Sequence, residues 1–143
     1  MPVRTFDPGK FIITVAGLPI NGFADGTFIT IERETDTFSK EIGADGVVSR
    51  VAMNDKSALL TLTLSQTSPS NDALSILHNV DELTAKGVVA IAVKDITGRS
   101  TYISGSGWIK KPAGFEGSKE LTTREWVLDM AETIWFTGGN GEI

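Results

Sequence analysis

Two stretches of the chain alternate apolar and polar residues with the period of a half-buried β-strand. In "TFITIERE", residues 27–34, Ile29, Ile31 and Arg33 share one side, and Phe28, Thr30, Glu32 and Glu34 the other. In "ALLTLTLSQT", residues 58–67, Leu60, Leu62 and Leu64 oppose Leu59, Thr61, Thr63 and Ser65. Each pattern predicts a strand with one face on a core. Between them lies "TDTFSKEIGADGVVSRVAMNDK", residues 35–56. A hairpin ordinarily turns in about two to five residues, and this connection is several times longer. It carries a turn signal, "ADG", near its middle. Phe38, Ile42, Val47, Val48, Val51 and Met53 make it too apolar for an idle loop, and Asp36, Lys40, Glu41, Asp45, Arg50 and Asp55 are interspersed among them.

Other runs extend the β pattern. "KFIITVA" (residues 10–16) is a short apolar strand, followed by turn residues around Gly17 and Pro19 and by the turn dipeptides of "NGFADG" (21–26). "VVAIAVKD" (88–95) reads as a well-buried strand, with a turn starting at Thr97. "STYISGSGWIKK" (100–111) reads as a strand that Gly105 and Gly107 bend or bulge. In "REWVLDMAETIWF" (124–136), Trp126, Leu128 and Met130 alternate with Glu125, Val127 and Asp129; the Thr pair before it and the flanking turns favour strand over helix. "TGGNGEI" (137–143) reads as a flexible tail.

One segment has helical period. Over residues 68–87, Ser68 is placed to cap, Pro69 suits the first helical position, Asp72 complements the helix dipole and Gly87 suits a C-terminal cap. At 100° per residue, Ala73, Ile76, Leu77, Val80 and Leu83 fall on one side, and Ser75, His78, Asn79 and Glu82 on the other. The expected packing therefore puts Ile76, Leu77, Val80 and Leu83 on a sheet.

Composition narrows the functional classes. The 143 residues suffice for one domain with a core of its own; 41% are hydrophobic and 22% charged, and fifteen are glycine. The net charge of −5 would repel a phosphate backbone, which argues against a dedicated nucleic-acid binder. With no cysteine, disulfides and thiolate chemistry are excluded. The start, "MPVRTFDPGKF", lacks the apolar core of a signal peptide, and no run is long enough for a membrane-spanning helix, so folding in a cytoplasm is expected.

Candidate chemistry is sparse. His78 is the sole histidine, so no multi-histidine metal site exists, and a triad with Asp81 and a serine would have to form on the helix's polar side. Glu32 and Glu34 share a strand face, and Asp129 and Glu132 are close in sequence, yet no pocket motif accompanies either pair. "SGSGWIKK" lacks the spacing and following helix of a phosphate loop, and "ADG" lacks the further ligands of a calcium loop. Trp108, Trp126 and Trp135 could form a sugar platform or fill a core. No cofactor or metal is implied, and the chain does not read as an enzyme.

The pattern "EIGADGVVSRVAMNDKSALLTLTLSQTSPSNDALSIL", with its "GADG" loop, "KS" entry to a Thr/Leu strand and "TSPSNDALS" helix start, resembles the tail tube proteins of contractile-tailed bacteriophages. "GFEGSKELTTREWVLDMA" before the last strands carries the same resemblance. It implies a mainly β (α+β) fold: a β-sandwich or barrel-like sheet pair flanked by one α-helix, forming a single domain over residues 1–143. It further implies six copies joined into a ring through a continuous inner β-barrel, with rings stacked into a tube that conducts DNA during ejection. Expected partners are further copies of the chain, the sheath, the tape measure protein, the baseplate initiator and the tail terminator. DNA would pass without specific binding, the chain would not insert into a membrane, and the tail would assemble in the host cytoplasm.

By this resemblance residues 35–56 are a projecting hairpin that reaches neighbouring subunits. Its expected contacts are Phe38, Lys40, Glu41, Ile42, Asp45, Val48, Arg50 and Met53. Thr30, Glu32 and Glu34 are candidates to line the lumen, a surface expected to be poor in Lys and Arg. Other readings are the inner tube of a bacterial contractile injection system, such as a tailocin or type VI secretion, a small carbohydrate-binding β module, or an enzyme using Glu32/Glu34 or His78.

Overall fold

The computed structural model describes residues 11–139, apart from positions 25 and 97. Lys10 of the first expected strand, Thr97 of the expected turn and residues 140–143 of the expected tail lie outside the described residues. Within them the chain forms β1 (Phe11–Val15), β2 (Leu18–Pro19), β3 (Ile29–Arg33), β4 (Phe38–Ile42), β5 (Val48–Ala52), β6 (Ala58–Ser65), α1 (Ser70–Thr84), β7 (Val89–Asp95), β8 (Ser100–Lys111), β9 (Thr123–Met130) and β10 (Ile134–Phe136). Thr137, Gly138 and Gly139, at the start of the expected tail, are tied down. Thr137 Oγ1 lies 2.6 Å from the Tyr102 hydroxyl, Gly138 N donates to Ser100 Oγ, and the Gly139 carbonyl accepts from Arg99.

Eight strands form one antiparallel sheet in the order β2-β1-β7-β8-β9-β6-β3, with β10 also paired to β8. Strand β8 joins two layers. Its first part pairs with β7 and its last part with β9, with Gly107 in register with both Val89 and Met130. The inward side of β8 changes parity on the way: Tyr102 and Ser104 are buried in its first half, Gly107 and Ile109 in its second. The intervening Gly105 and Ser106 absorb this bulge, as the glycine pattern anticipates. A Cβ at Gly107 would sit 2.3 Å from Ile91 Cδ1 and 2.9 Å from the Asp129 carbonyl oxygen, so the two layers approach here because no side chain intervenes.

One core fills the space between the layers. Ile13, Val15, Ile91, Val93 and Tyr102 come from one, and Leu60, Leu62, Leu64, Ile109, Trp126, Leu128 and Met130 from the other, with Leu74 of α1 and Ile20 at its margin. The alternation in β6 and β9 is as the sequence predicts: even-numbered residues 58–64 and 126–130 are buried.

The helix departs from its expected phase and bounds. It runs from Ser70 to Thr84, within the anticipated 68–87, and the left-handed capping residue is Ala85 (φ 57°) rather than Gly87. Pro69 precedes the first turn, and Ser68 Oγ accepts the Ser70 amide at 3.2 Å. The buried residues are Ser70 and Leu74, with Asn71, Leu77, His78 and Asp81 half-buried. Ile76, Val80 and Leu83, expected to pack on the sheet, are 66%, 46% and 86% exposed.

Polar anchors set this phase. The Asn71 side chain accepts from Trp126 Nε1 at 3.0 Å and donates to the Ser65 and Ser68 carbonyls; Ser70 Oγ accepts the Asn21 amide, and Asp81 accepts the Gly87 amide. Unpaired burial of those groups would cost more than exposing three aliphatic side chains in the isolated chain, so the hydrophobic count loses.

Candidate assembly surfaces

The long connection is a hairpin with a sheet of its own. Among the described residues strands β4 and β5 pair only with each other, in the register Phe38↔Ala52, Ser39↔Val51, Lys40↔Arg50, Glu41↔Ser49 and Ile42↔Val48. Residues 43–47 close it: Gly43 N donates to the Val47 carbonyl, Val47 N to Asp45 Oδ1, and Gly46 takes φ 84°. The "ADG" signal is this turn. Every residue of both strands is exposed. A two-stranded ribbon without a core is marginal on its own, so its apolar residues have no intrachain reason to be there.

Cross-strand partners share a face, which sorts the expected contact residues. Phe38, Lys40, Ile42, Val48 and Arg50 lie on one face; Glu41 lies on the other with Ser39, Ser49 and Val51. Asp45 is at the tip, and Met53, just past β5, donates its amide to the Thr37 carbonyl. Lys40 and Arg50 stand directly opposite one another, an unfavourable arrangement of like charges. The Arg50 guanidinium lies over the Phe38 ring at 4.1 Å, and neither cation forms an ion pair among the described residues.

The second surface is the outward face of β3-β6-β9-β8. Ile29 and Ile31 pack against the core, while Thr30, Glu32 and Glu34 point away from it and are exposed. The register continues this face across the sheet: Glu32 pairs with Leu59, Leu59 with Asp129, and Asp129 with Trp108, while Thr30 leads through Thr61 to Val127. Three apolar residues thus sit among the polar ones: Leu59 and Val127, on the side where the alternation places them, and Trp108, whose side the sequence left open. The face is not free of cations either, since Lys110 lies close enough to Glu34 to act on its charge.

Glu34 and Asp129 form a carboxyl pair on this face. The hydrogen bond to Asp129 raises the Glu34 pKa above its ordinary value near 4.5; partial burial and the charges of Asp129 and Asp55 add to the rise, and Lys110 opposes it. Asp55 is lowered because Ser57 donates to it from both Oγ and N, with Arg33 assisting. A raised carboxyl pKa contributes stability that is complete at acid pH and lost as pH rises through the shifted value. Glu34→Gln keeps a donor for Asp129 without a titrating proton. The melting temperature of this variant is expected to gain on the native chain as pH rises from about 4 to about 7. An unchanging gap between the two would refute the pairing.

The remaining candidates do not converge. His78 is half-buried on the inner side of α1 rather than solvated, and Asn79 at 3.4 Å and Glu82 at 3.8 Å face its Nδ1. Asp81 is engaged by the Gly87 amide. Glu132 is in the turn between β9 and β10, away from any pairing with Asp129 in the strand register. The three tryptophans make no common platform: Trp126 is core, Trp135 stacks edge-on to Tyr102, and Trp108 is on the outward face. Among the described residues no three His, Asp or Glu side chains gather to hold a metal, and no helix is long and apolar enough to cross a membrane.

The geometry is thus a two-layer antiparallel body with carboxylates on its outward face, a β3 edge without a second partner strand among the described residues, and a projecting ribbon. Comparison with known proteins gives the family. The family described as "Bacteriophage PhiTE tail tube protein" matches residues 16–135, and the chain belongs to it. It is 37% identical over 128 residues to "Structural protein ORF10" of Pseudomonas phage KPP10, covering 87% of this chain and 73% of that protein.

Solved structures share the fold. The tube-terminating cap of the anti-feeding prophage superposes with a TM-score of 0.65 at 13% identity, over 96% of this chain and 95% of that one. The sheath/tube terminator of the extracellular contractile injection system PVC gives 0.65 at 15% identity, over 92% and 96%. A chain of the PVC sheath-tube complex gives 0.65 at 14%, over 93% and 92%. The chain is therefore a structural subunit of a phage tail tube, with the mainly β, one-helix fold that its sequence resembles.

Proposed function

We propose that six copies of this subunit close into a ring through the β3 edge, that rings stack through the hairpin, and that the tube so formed conducts DNA during ejection. The observation that carries this reading is the sheet itself. Among the described residues strand β3 pairs only with β6, which leaves the other side of Ile29–Arg33 without a partner strand there, and the face beside it presents Thr30, Glu32 and Glu34. An open edge flanked by a polar face calls for another strand of the same kind and for water on that face. Closure into a barrel supplies both. A largely uncharged or acidic lining lets DNA slide, because few condensed counterions are displaced by basic contacts.

On this reading the sheath surrounds the tube, the tape measure protein lies inside it, and the baseplate initiator and the terminator bound its two ends, the whole assembling in the host cytoplasm. The fold neighbours include sheath-bound and terminating components, which supports the partner set. The phage reading is favoured over an injection system because the family and the 37% identical relative are both of phage origin. No catalytic step is proposed.

The natural absence of cysteine permits a direct test. A single cysteine at Thr30 or Glu32 should react equally with small and polymer-linked maleimides in the free subunit. In assembled tubes, seen as six-fold rings end-on by negative-stain microscopy, the small reagent should still react and the polymer should be excluded. Equal labelling by the polymer would put this face on the tube exterior, and rings of another order would overturn the hexamer.

A further inference from the structure

One face of the helix has no role in the subunit fold. Ile76, Val80 and Leu83, spaced i, i+4, i+7, form an outward apolar row with exposures of 66%, 46% and 86%. Asp72, one turn before Ile76, is exposed beside that row, while Glu82 stands further round the helix, 3.8 Å from His78. A row of this kind on an amphipathic helix is a recognition surface for an apolar partner.

The same chain carries a matching surface elsewhere. On the hairpin, Phe38 and Ile42 of β4 and Val48 of β5 are 45%, 64% and 60% exposed, on the same face as the unneutralised Lys40 and Arg50. Apolar residues with two cations thus face outward in one place, and apolar residues with a carboxylate, Asp72, beside them in another. The dimensions agree as well. Phe38 and Ile42 are about 13 Å apart along an antiparallel strand, and Ile76 and Leu83 about 10 Å apart along a helix.

We propose that the Phe38–Lys40–Ile42 face of the hairpin docks on the Ile76–Val80–Leu83 row of a second copy of this chain, with the cations Lys40 and Arg50 set toward Asp72. This rests on the reading of the hairpin as an intersubunit joint and names the surface that receives it. Two different patches of one chain make a heterologous contact, which repeats from copy to copy instead of closing as a dimer. Each subunit contributes one hairpin and one helix, so the stoichiometry closes without another protein. Docking also relieves the like-charge opposition of Lys40 and Arg50 by bringing a carboxylate to the pair.

The test uses zero-length carbodiimide coupling of the native protein, which joins a lysine amine to a carboxylate in contact. Assembled tubes should give the peptide pair Lys40–Asp72, absent from dilute subunits. The substitutions Ile76→Ser and Leu83→Ser together should leave the melting temperature unchanged and raise the concentration needed for assembly about tenfold or more. Tubes in which Lys40 couples only to other carboxylates, or a helix variant that assembles at the native concentration, would overturn the proposal. A helix variant that forms normal tubes but no longer binds sheath would assign the row to the sheath instead. Replacing the hairpin tests the underlying reading separately. If that replacement assembles normally, the joint itself is wrong; if it blocks assembly while the helix variant does not, only the docking site is wrong.

Discussion

Replacing residues 38–53 with a short Gly/Ser turn is expected to give a soluble subunit that melts within about a few degrees of the native chain and forms no long tubes. The body should survive because, among the described residues, neither β4 nor β5 contributes to the core and both pair only with each other. Ordering a ribbon costs about 1–2 kcal/mol per residue of backbone entropy, which a coreless hairpin recovers poorly by itself. On the proposed reading, contact with a neighbour provides the missing burial. The native hairpin is accordingly expected to exchange its amide hydrogens quickly in free subunits and slowly in tubes. Normal polymerisation of the replacement variant, followed by sedimentation and microscopy, would show that the ribbon is not the joint between rings.

A second large effect is expected at the helix. Leu74→Ala should destabilise the subunit by about 2–5 kcal/mol, since Leu74 is 1% exposed within the common core. Leu83→Ala should change stability by less than about 0.5 kcal/mol, because that side chain is 86% exposed. Leu77→Ala should fall between them, Leu77 being only partly buried against the core. Denaturant midpoints for the three variants give the order directly. A cost at Leu83 exceeding that at Leu74 would mean the helix packs in the phase that counting apolar residues suggests.

These two cases mark where sequence is and is not sufficient. The alternation Leu60, Leu62, Leu64 and Trp126, Leu128, Met130 was legible because a strand has only two faces and one of them must be buried. The bend in β8 was legible because two glycines interrupt a run that otherwise continues. The helix was harder. Its apolar residues spread widely around the axis, and the deciding interactions are Trp126 with Asn71 and Asn21 with Ser70, each reaching across about fifty positions of sequence. Apolar residues selected for contact with another copy look, in a single sequence, like apolar residues selected for the core. Alternation does place Leu59 and Val127 on the outward face, but Trp108 follows the glycines where β8 changes parity, so its side was not legible.

The ribbon's independence from the core also has a consequence for inheritance. A change at Ile42 or Arg50 is not answerable to the fold of the subunit that carries it, only to the surface it meets. If that surface belongs to another copy, both sides of the joint are written in one reading frame and travel together through every recombination that keeps the gene whole. In a cell infected by two related phages, subunits with interchangeable bodies would then be sorted into separate tails by a ribbon and its seat, and a lineage could shift both without waiting for any other gene to follow.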